Sequence, residues 1–291
     1  MLPKTMTGRP HAQRGVTLIE LMVGVAIGLL VVAVAMGALM VSRSVSGTVS
    51  DASEIQQQAA YAMRVIGLQL RQAGSLYLNP NPTNAASDNV LTAPVAFETT
   101  APASGSANGF DPGTNTLSGA SDPVTLTVGY RRYKESVHGS AVEQALARNC
   151  TGGPASTSDD QRVESVFQLN GSELRCAGNG ASAQPIVQNV ANFQVRYLLQ
   201  DNTEPGNTKI QYATADAVGA ANWGRVQAVE VCLVLYGVEP IDMPSGSTYT
   251  DCDGSTKVDM STLTGERTRR MHIAFRNVFQ LRSQGLVGSV L

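Results

Sequence analysis

Hydrophobic residues follow one another without a break near the start of the chain. From Leu21 to Val41 the sequence holds 21 residues with no charged or strongly polar side chain. As a helix rising ~1.5 Å per residue, this run is roughly 31 Å long, which matches the thickness of one bilayer core. We therefore predict a helix whose first half crosses a membrane.

Beyond the apolar run, hydrophobic positions recur at helical spacing. Apolar residues return at steps of three and four, at Ile55, Ala59, Ala62, Ile66, Leu70 and Ala73. This spacing predicts an amphipathic continuation of the same helix with one buried face. Gly74 is a stop signal, and Gly37 and Gly47 are candidate positions for a break in the helix.

The pattern changes to a period of two in the second half of the chain. Residues 74–123 contain six prolines and predict mostly loop, with one short strand at 90–97. The alternating segments that follow predict strands at 124–131, 163–169, 174–176, 193–199, 229–235 and 271–275. Asn170-Gly171 predicts a hairpin between two of them. The predicted fold class is α+β, with one long N-terminal helix packed on an antiparallel β-sheet outer domain.

One carboxylate, Glu20, lies close to the start of the apolar run. A charge there costs on the order of 2.5 to 3.5 kcal/mol in hydrocarbon, so it marks function and needs a positive partner. The nearest cations, Arg14 and Arg43, lie outside the run. Cleavage after Gly15 would create the α-amino group of Val16 at the same membrane depth. We predict that this amine and Glu20 pair between neighbouring subunits.

The stretch from Gly15 to Glu20 resembles the class III signal of type IV pilins and pseudopilins. It has a short basic leader, a glycine at the cut, Thr17-Leu18-Ile19-Glu20 and then an apolar helix. The resemblance implies that prepilin peptidase cuts after Gly15, that Val16 becomes an N-methylated terminus and that Glu20 is the glutamate of the motif. Val16 departs from the family pattern, in which most mature chains begin with phenylalanine.

Later segments resemble the PilW family of minor pilins. They are 190–197 (VANFQVRY), Trp223 with 226–235 (VQAVEVCLVL) and 270–282 (RMHIAFRNVFQLR), whereas 74–123 and 239–268 carry no resemblance. The resemblance implies a pilin-like fold and a role in starting pilus assembly, and hence in twitching motility, adhesion or DNA uptake. The implied partners are other major and minor pilins, prepilin peptidase, the inner-membrane pilus assembly machinery and membrane lipid.

These observations predict four parts and a location for each. The parts are a leader peptide (1–15), a transmembrane and assembly half of the helix (16–41), an amphipathic half (42–73) and an outer β-rich pilin domain (74–291). Lys4, Arg9 and Arg14, without any acid in the leader, predict a cytoplasmic N-terminus in the bacterial inner membrane. The outer domain is then periplasmic and, after assembly, part of an extracellular pilus.

Charge argues against direct binding of nucleic acid. The leader holds three of the 21 basic residues, so its removal leaves 18 basic and 23 acidic residues and a net charge of −5. A protein of this charge lacks the electrostatic attraction that bulk nucleic-acid binding needs.

Four cysteines, Cys150, Cys176, Cys232 and Cys252, lie in the part predicted to be external, where disulfides persist. Four cysteines allow three connectivities. We favour the sequence-local pairs Cys150–Cys176 and Cys232–Cys252, each stabilising by ~3 kcal/mol on the loop-entropy model. A zinc site is disfavoured because no C-x-x-C spacing occurs and no histidine lies near a cysteine.

Two charged clusters in the outer domain invite a binding interpretation. Asp251, Asp253 and Asp259 surround Gly254, but the set lacks the further oxygen ligands of a calcium loop, which favours a solvated acidic loop. Arginines at 267, 269, 270, 276 and 282 lack interleaved aromatic residues, and alternation along a strand places them on an exposed face. No metal and no cofactor are predicted.

No sequence motif predicts an enzyme. The chain contains no H-E-x-x-H, G-x-S-x-G, Walker or G-x-G-x-x-G pattern. His272 lies in a strand pattern and is expected to be solvated or packed rather than catalytic.

Other readings of the N-terminus remain open. A secretory signal has an apolar region of ~7 to 15 residues, shorter than this one. A plain membrane anchor needs neither Gly15 nor Glu20. A pseudopilin of a type II secretion system shares the same N-terminal features, and a membrane-anchored binding protein that never polymerises would keep its leader.

Overall fold

A computed structural model describes residues 15–74, 77–78, 95–96, 101–105, 107–201, 207 and 209–282. Two compact units make up the chain, Met1–Ser50 and Asp51–Leu291. The boundary between them falls inside the long helix. The predicted division at 15, 41 and 73 therefore stays a prediction, and the leader up to Arg14 lies outside the described residues.

The regular elements, in chain order, are α1 (Leu18–Gln72), β1 (Tyr77–Leu78), β2 (Val95–Ala96), α2 (Pro112–Asn115), β3 (Leu117–Ser121), β4 (Val124–Arg131), β5 (Arg162–Asn170), β6 (Glu173–Gly178), β7 (Gln184–Val187), β8 (Val190–Asp201), β9 (Lys209–Ala213), α3 (Ala215–Val218), β10 (Val226–Pro240), β11 (Thr248–Thr250), β12 (Lys257–Asp259) and β13 (Arg270–Gln280). Three short 3-10 turns lie at Trp223–Arg225, Met260–Thr262 and Gly265–Arg267.

Helix α1 is a single element of 55 residues. Neither Gly37 nor Gly47 interrupts it, because a glycine lowers helix propensity by only ~1 kcal/mol and removes no hydrogen bond. The helix ends at Gln72, and Gly74 follows with a φ of 92°, a backbone conformation that glycine adopts readily. The predicted length and stop are therefore confirmed.

The helix residues predicted to face the core do so. Ile55, Ala59, Ala62, Ile66, Leu70 and Ala73 are all buried. They join one hydrophobic core with residues from two antiparallel sheets, including Leu126 and Phe167 from one sheet and Leu233 and Leu235 from the other. The helical spacing of the apolar residues thus creates the face on which the outer unit is built.

The strands form two principal sheets. One sheet has five strands in the order β3-β4-β5-β6-β7, and the other has four in the order β13-β10-β8-β9. Two-stranded pairs form between β1 and β2 and between β11 and β12. The predicted architecture, a long helix on antiparallel strands, is confirmed, although the strands divide between two sheets instead of forming one.

The hairpin between β5 and β6 has its turn one residue later than predicted. Asn170 pairs with Glu173, so the two central turn residues are Gly171 and Ser172 rather than Asn170 and Gly171. Gly171 has a φ of 60°, which suits the first central position of a hairpin turn. Of the predicted strand at 90–97, only Val95–Ala96 belongs to the described residues, and these two form β2.

Strand β10 is buried on both of its faces. Val229, Val231, Leu233 and Leu235 face the helix as the alternation predicts, and all four are fully buried. On the opposite face, Cys232 and Val234 form a second small cluster with Cys252. Residues 241–269, here called the cover segment, supply the lid over this face. Alternation did not predict the cover segment, because both faces of β10 carry apolar residues and the strand therefore does not alternate between apolar and polar positions.

Candidate functional site

The segment before α1 presents the predicted processing site and the start of the helix. Gly15, Val16 and Thr17 precede the first helical residue. The Thr17 carbonyl accepts a hydrogen bond from the Leu21 amide at 3.1 Å, and the Thr17 hydroxyl accepts one from the Glu20 amide at 3.4 Å. Thr17 and Glu20 therefore occupy the first and last positions of a T-x-x-E capping pattern.

Glu20 lies in the first turn of α1. Negative charge is favourable there, because the unpaired amides of the first turn carry partial positive charge. The Glu20 side chain is exposed, as are residues Gly15 and Val16. The geometry thus brings the predicted processing residues and the predicted assembly carboxylate to one end of the helix.

Apolar side chains cover the first half of α1 on every side. From Leu18 to Met40 every side chain is exposed, and the large apolar ones expose between 49% and 75% of their surface. The helix is long and apolar enough to cross a membrane. Exposed apolar surface of this extent normally marks contact with lipid or with other proteins.

The cysteines form two bridges in the structure, Cys150–Cys176 and Cys232–Cys252. The first joins the loop before β5 to strand β6, and the second joins β10 to the cover segment. These are the two sequence-local pairs. The second bridge fixes the cover segment to the sheet that it covers.

The acidic residues around Gly254 bind their own loop. Asp253 accepts hydrogen bonds from the Thr256 hydroxyl and from the amides of Ser255 and Thr256, and these hydrogen bonds hold the pKa of its carboxyl well below its usual range. Asp259 accepts from the Ser261 hydroxyl and amide, which also lowers its pKa. In the part of the chain that the structure describes, no three such side chains are grouped as metal ligands.

The arginines of the basic stretch also have partners within the outer unit. Arg269 forms an ion pair with Asp242 at 2.5 Å. Arg276 donates to the Cys252 carbonyl at 2.8 Å and lies 3.6 Å from Glu230. Arg276 thus ties the cover segment to the sheet, whereas the Arg269–Asp242 pair lies within the segment; the sequence did not suggest either role.

His272 is packed between aromatic rings under the cover segment. It is 4% exposed, and its ring is stacked on Tyr249 at 5.1 Å. Nε2 accepts a hydrogen bond from Nε of Arg267 at 3.1 Å, and Nδ1 lies 2.8 Å from the Arg270 carbonyl. Burial, with a smaller contribution from the positive charge of Arg267, lowers the pKa of His272 to about 4. A neutral imidazole with both nitrogens engaged is a structural group.

One buried carboxylate, Asp51, was not predicted from the sequence. Asp51, on α1, is 5% exposed and accepts a hydrogen bond from the Val238 amide at 2.8 Å. The signal was present in the sequence, because Asp51 lies four residues before Ile55 and so on the same helix face.

Two family models match the chain. The model of the type IV pilus-assembly protein W (PilW) family matches residues 156–283, and the prokaryotic N-terminal methylation motif matches residues 10–36. The chain is therefore similar to the PilW family over its second half and to type IV pilins at its N-terminus. The PilW match spans β5 to β13 and includes the cover segment, which the sequence resemblance had left out. The motif match includes Gly15, Val16 and Glu20.

A solved structure is also similar in outline. It is a type IV-like pilin from Thermus thermophilus with 12% sequence identity and a TM-score of 0.36, covering 77% of this chain and 94% of that chain. No curated protein sequence matches.

The family matches support a minor type IV pilin. Pilin identity suggests a structural protein rather than an enzyme, and the apolar helix with its pilin motif suggests a membrane anchor. They also suggest other pilins and the pilus machinery as partners.

Proposed function

We propose that this PilW-like minor pilin is cut between Gly15 and Val16 by prepilin peptidase and waits in the inner membrane with its outer unit in the periplasm. It then enters a type IV pilus and takes part in starting its assembly with other minor and major pilins. Through the pilus it supports twitching motility, adhesion or DNA uptake.

The observation that carries this proposal is the first half of α1. Its apolar side chains are exposed on all sides, and Glu20 is the only charge between Leu18 and Val41. An anchor for lipid alone gains nothing from this charge, which costs on the order of 2.5 to 3.5 kcal/mol in hydrocarbon. A helix that exchanges lipid for the helices of neighbouring subunits can use it.

The partner that we propose for Glu20 is the new α-amino group of Val16 in a neighbouring subunit. Cleavage after Gly15 converts an amide into a cation only a few residues from the carboxylate. A pair of opposite charges in an apolar environment is much less costly than either charge alone, so pairing favours one register of the two helices.

The test is to replace Glu20 and to measure filament entry. Glu20→Leu removes the charge, so membrane insertion and leader cleavage should persist or improve, whereas incorporation into sheared filaments should fall strongly. Glu20→Asp keeps a carboxylate and should retain part of the incorporation. Glu54→Leu removes an exposed carboxylate from the same helix outside the apolar run and serves as the matched control.

Normal incorporation of Glu20→Leu would show that the carboxylate is not the assembly contact. Loss of membrane insertion in the same variant would show that the apolar segment has another role. Absence of the wild-type chain from filaments would contradict the proposed function itself.

A further inference from the structure

The Gly237–Val238 peptide lies between two opposite charges. Its N–H, on Val238, donates to Oδ1 of Asp51 at 2.8 Å. Its carbonyl, on Gly237, accepts from Nη1 of Arg270 at 3.1 Å. A peptide that donates to a carboxylate and accepts from a guanidinium is polarised in one direction, so each hydrogen bond strengthens the other.

This peptide lies where the pairing of β10 with β13 is irregular. The register holds up to Tyr236 and His272 and resumes only at Pro240 and Arg270. Because of this irregularity, the Val238 amide needs a hydrogen-bond acceptor from outside the sheet. Asp51 is that acceptor. A helix side chain thereby completes the hydrogen bonding of a sheet strand.

Gly237 is needed for this contact. Its φ is outside the left-handed region, so its backbone does not itself call for glycine. A Cβ at this position, however, would overlap the carboxylate of Asp51. The absence of a side chain at 237 is therefore what lets Asp51 approach the strand.

The position of Asp51 gives the contact its significance. Asp51 is the first residue of the outer unit, and among the described residues Ile55 is the first buried apolar side chain of α1. Helix α1 continues without a break from Ser50 into Asp51. A force that acts on the apolar half is therefore transmitted to the outer unit through the backbone at Asp51. In the turn from Asp51 to Glu54, Asp51 is the buried residue, so its hydrogen bond is the contact that holds this turn on β10.

We propose that Asp51 is a positioning residue for assembly. Through the Gly237–Val238 peptide and Arg270, it holds the first turn of the outer-unit helix on β10 while the subunit is transferred from membrane to filament. This role rests on the proposed function. The hydrogen bond between Asp51 and the Val238 amide does not depend on the proposed function. The hydrogen bond and the assembly role can therefore be tested separately.

The contact is tested by hydrogen exchange on the full chain in detergent micelles. Asp51→Ala should accelerate exchange of the amides in peptides covering 51–58 and 236–241 by about tenfold or more, the factor expected for losing a hydrogen bond to a charged group. Gly237→Ala should do the same by displacing the carboxylate. Arg270→Gln keeps an N–H donor without the charge and should cause a smaller change. Glu54→Ala, an exposed helix carboxylate, is the control.

The double variant decides whether these residues act as one unit. In the Asp51→Ala background the carboxylate that a Cβ at 237 would overlap is gone, so Gly237→Ala should add little to the exchange rate. Formation of both disulfides reports that each variant is folded. Additive effects, or unchanged exchange in Asp51→Ala, would overturn the proposed contact.

The assembly role is tested by filament entry of the same variants. Asp51→Ala should be cleaved and inserted normally, with incorporation reduced at least about tenfold. If the wild-type chain enters filaments and Asp51→Ala enters equally well, this inference fails while the proposed function stands. If the wild type never enters filaments, the proposed function and the assembly role both fail, and the exchange data alone decide the contact.

Discussion

Glu20 and Asp51 are carboxylates on the same helix with opposite surroundings. Glu20 is exposed near the start of an apolar surface, and its proposed partner belongs to another subunit. Asp51 is buried, and its partner is the Val238 amide of its own outer unit. A charged side chain in an apolar setting needs a partner in both cases. Where that partner lies decides whether the carboxylate acts between subunits, as we propose for Glu20, or within its own outer unit, as Asp51 does.

His272 predicts a pH dependence of stability. Its pKa is about 4 in the folded protein against an ordinary value of 6.5, so the unfolded chain binds more protons between these two values. The stabilisation by the neutral imidazole is therefore complete above pH 6.5 and is lost as the pH falls toward 4, by up to about 3 kcal/mol. Denaturant unfolding of the full chain between pH 4 and 7 measures this slope.

The control for this experiment is the exposed His138. His272→Gln should flatten the pH dependence between pH 4 and 6.5, whereas His138→Gln should leave it unchanged. An unaltered slope in His272→Gln would assign the effect to other groups. Asp253 and Asp259, whose pKa values are lowered, contribute at still lower pH, because their stabilisation is lost only as they become protonated.

At the scale of elements, helix α1 and the β10–β13 sheet meet through a glycine. A Cβ on Gly67 would overlap the ring of the buried Phe279, whereas a Cβ on Gly47 would meet nothing within 4 Å. Helix propensity alone favours alanine at both positions by ~1 kcal/mol. Close packing should reverse that preference at Gly67 only.

Gly67→Ala should therefore lower the free energy of unfolding by about 1 to 3 kcal/mol, the usual cost of overpacking a core. Gly47→Ala should leave stability unchanged or raise it slightly. Urea unfolding of both variants in the same detergent makes the comparison direct. Equal effects at the two positions would show that Phe279 moves aside without cost.

The disulfides are elements whose pairing peptide mapping can check. Non-reducing digestion should recover Cys150 linked to Cys176 and Cys232 linked to Cys252, which close sequence separations of 26 and 20 residues. Each should contribute ~3 kcal/mol. Replacing Cys232 and Cys252 with serine should increase proteolysis within the cover segment. Free thiols or crossed pairs in periplasmic protein would contradict the structure.

The helix and most strands could be predicted because each depends on local periodicity. The apolar positions from Ile55 to Ala73 recur at helical spacing, and those of β4 and β8 alternate. The cover segment could not be predicted, since Tyr249 meets Arg267 and His272 only through contacts between residues distant in sequence. The burial of Asp51 was predictable from its place on the helix face of Ile55, but its partner was not, because Val238 is 187 residues away.

At the scale of the whole molecule, the sequence has two regions with different physical demands. The first half of α1 exposes apolar surface of the kind that contacts lipid or other proteins. The outer unit has its own core and two internal disulfides, as suits an oxidising compartment. These features fit a membrane-anchored pilin whose outer unit folds around its own core.

Maturation at Gly15 is the prediction on which the proposed assembly depends. The α-amino group that we propose as the partner of Glu20 exists only after the leader is removed. Mass spectrometry of the protein from cells with active prepilin peptidase should therefore find a chain that begins at Val16 and carries one added methyl group. Gly15→Val should leave the leader in place, whereas Gly28→Val, at a glycine whose surroundings are open, should be processed normally. A wild-type chain that still begins at Met1 would instead identify a membrane-anchored protein that does not polymerise.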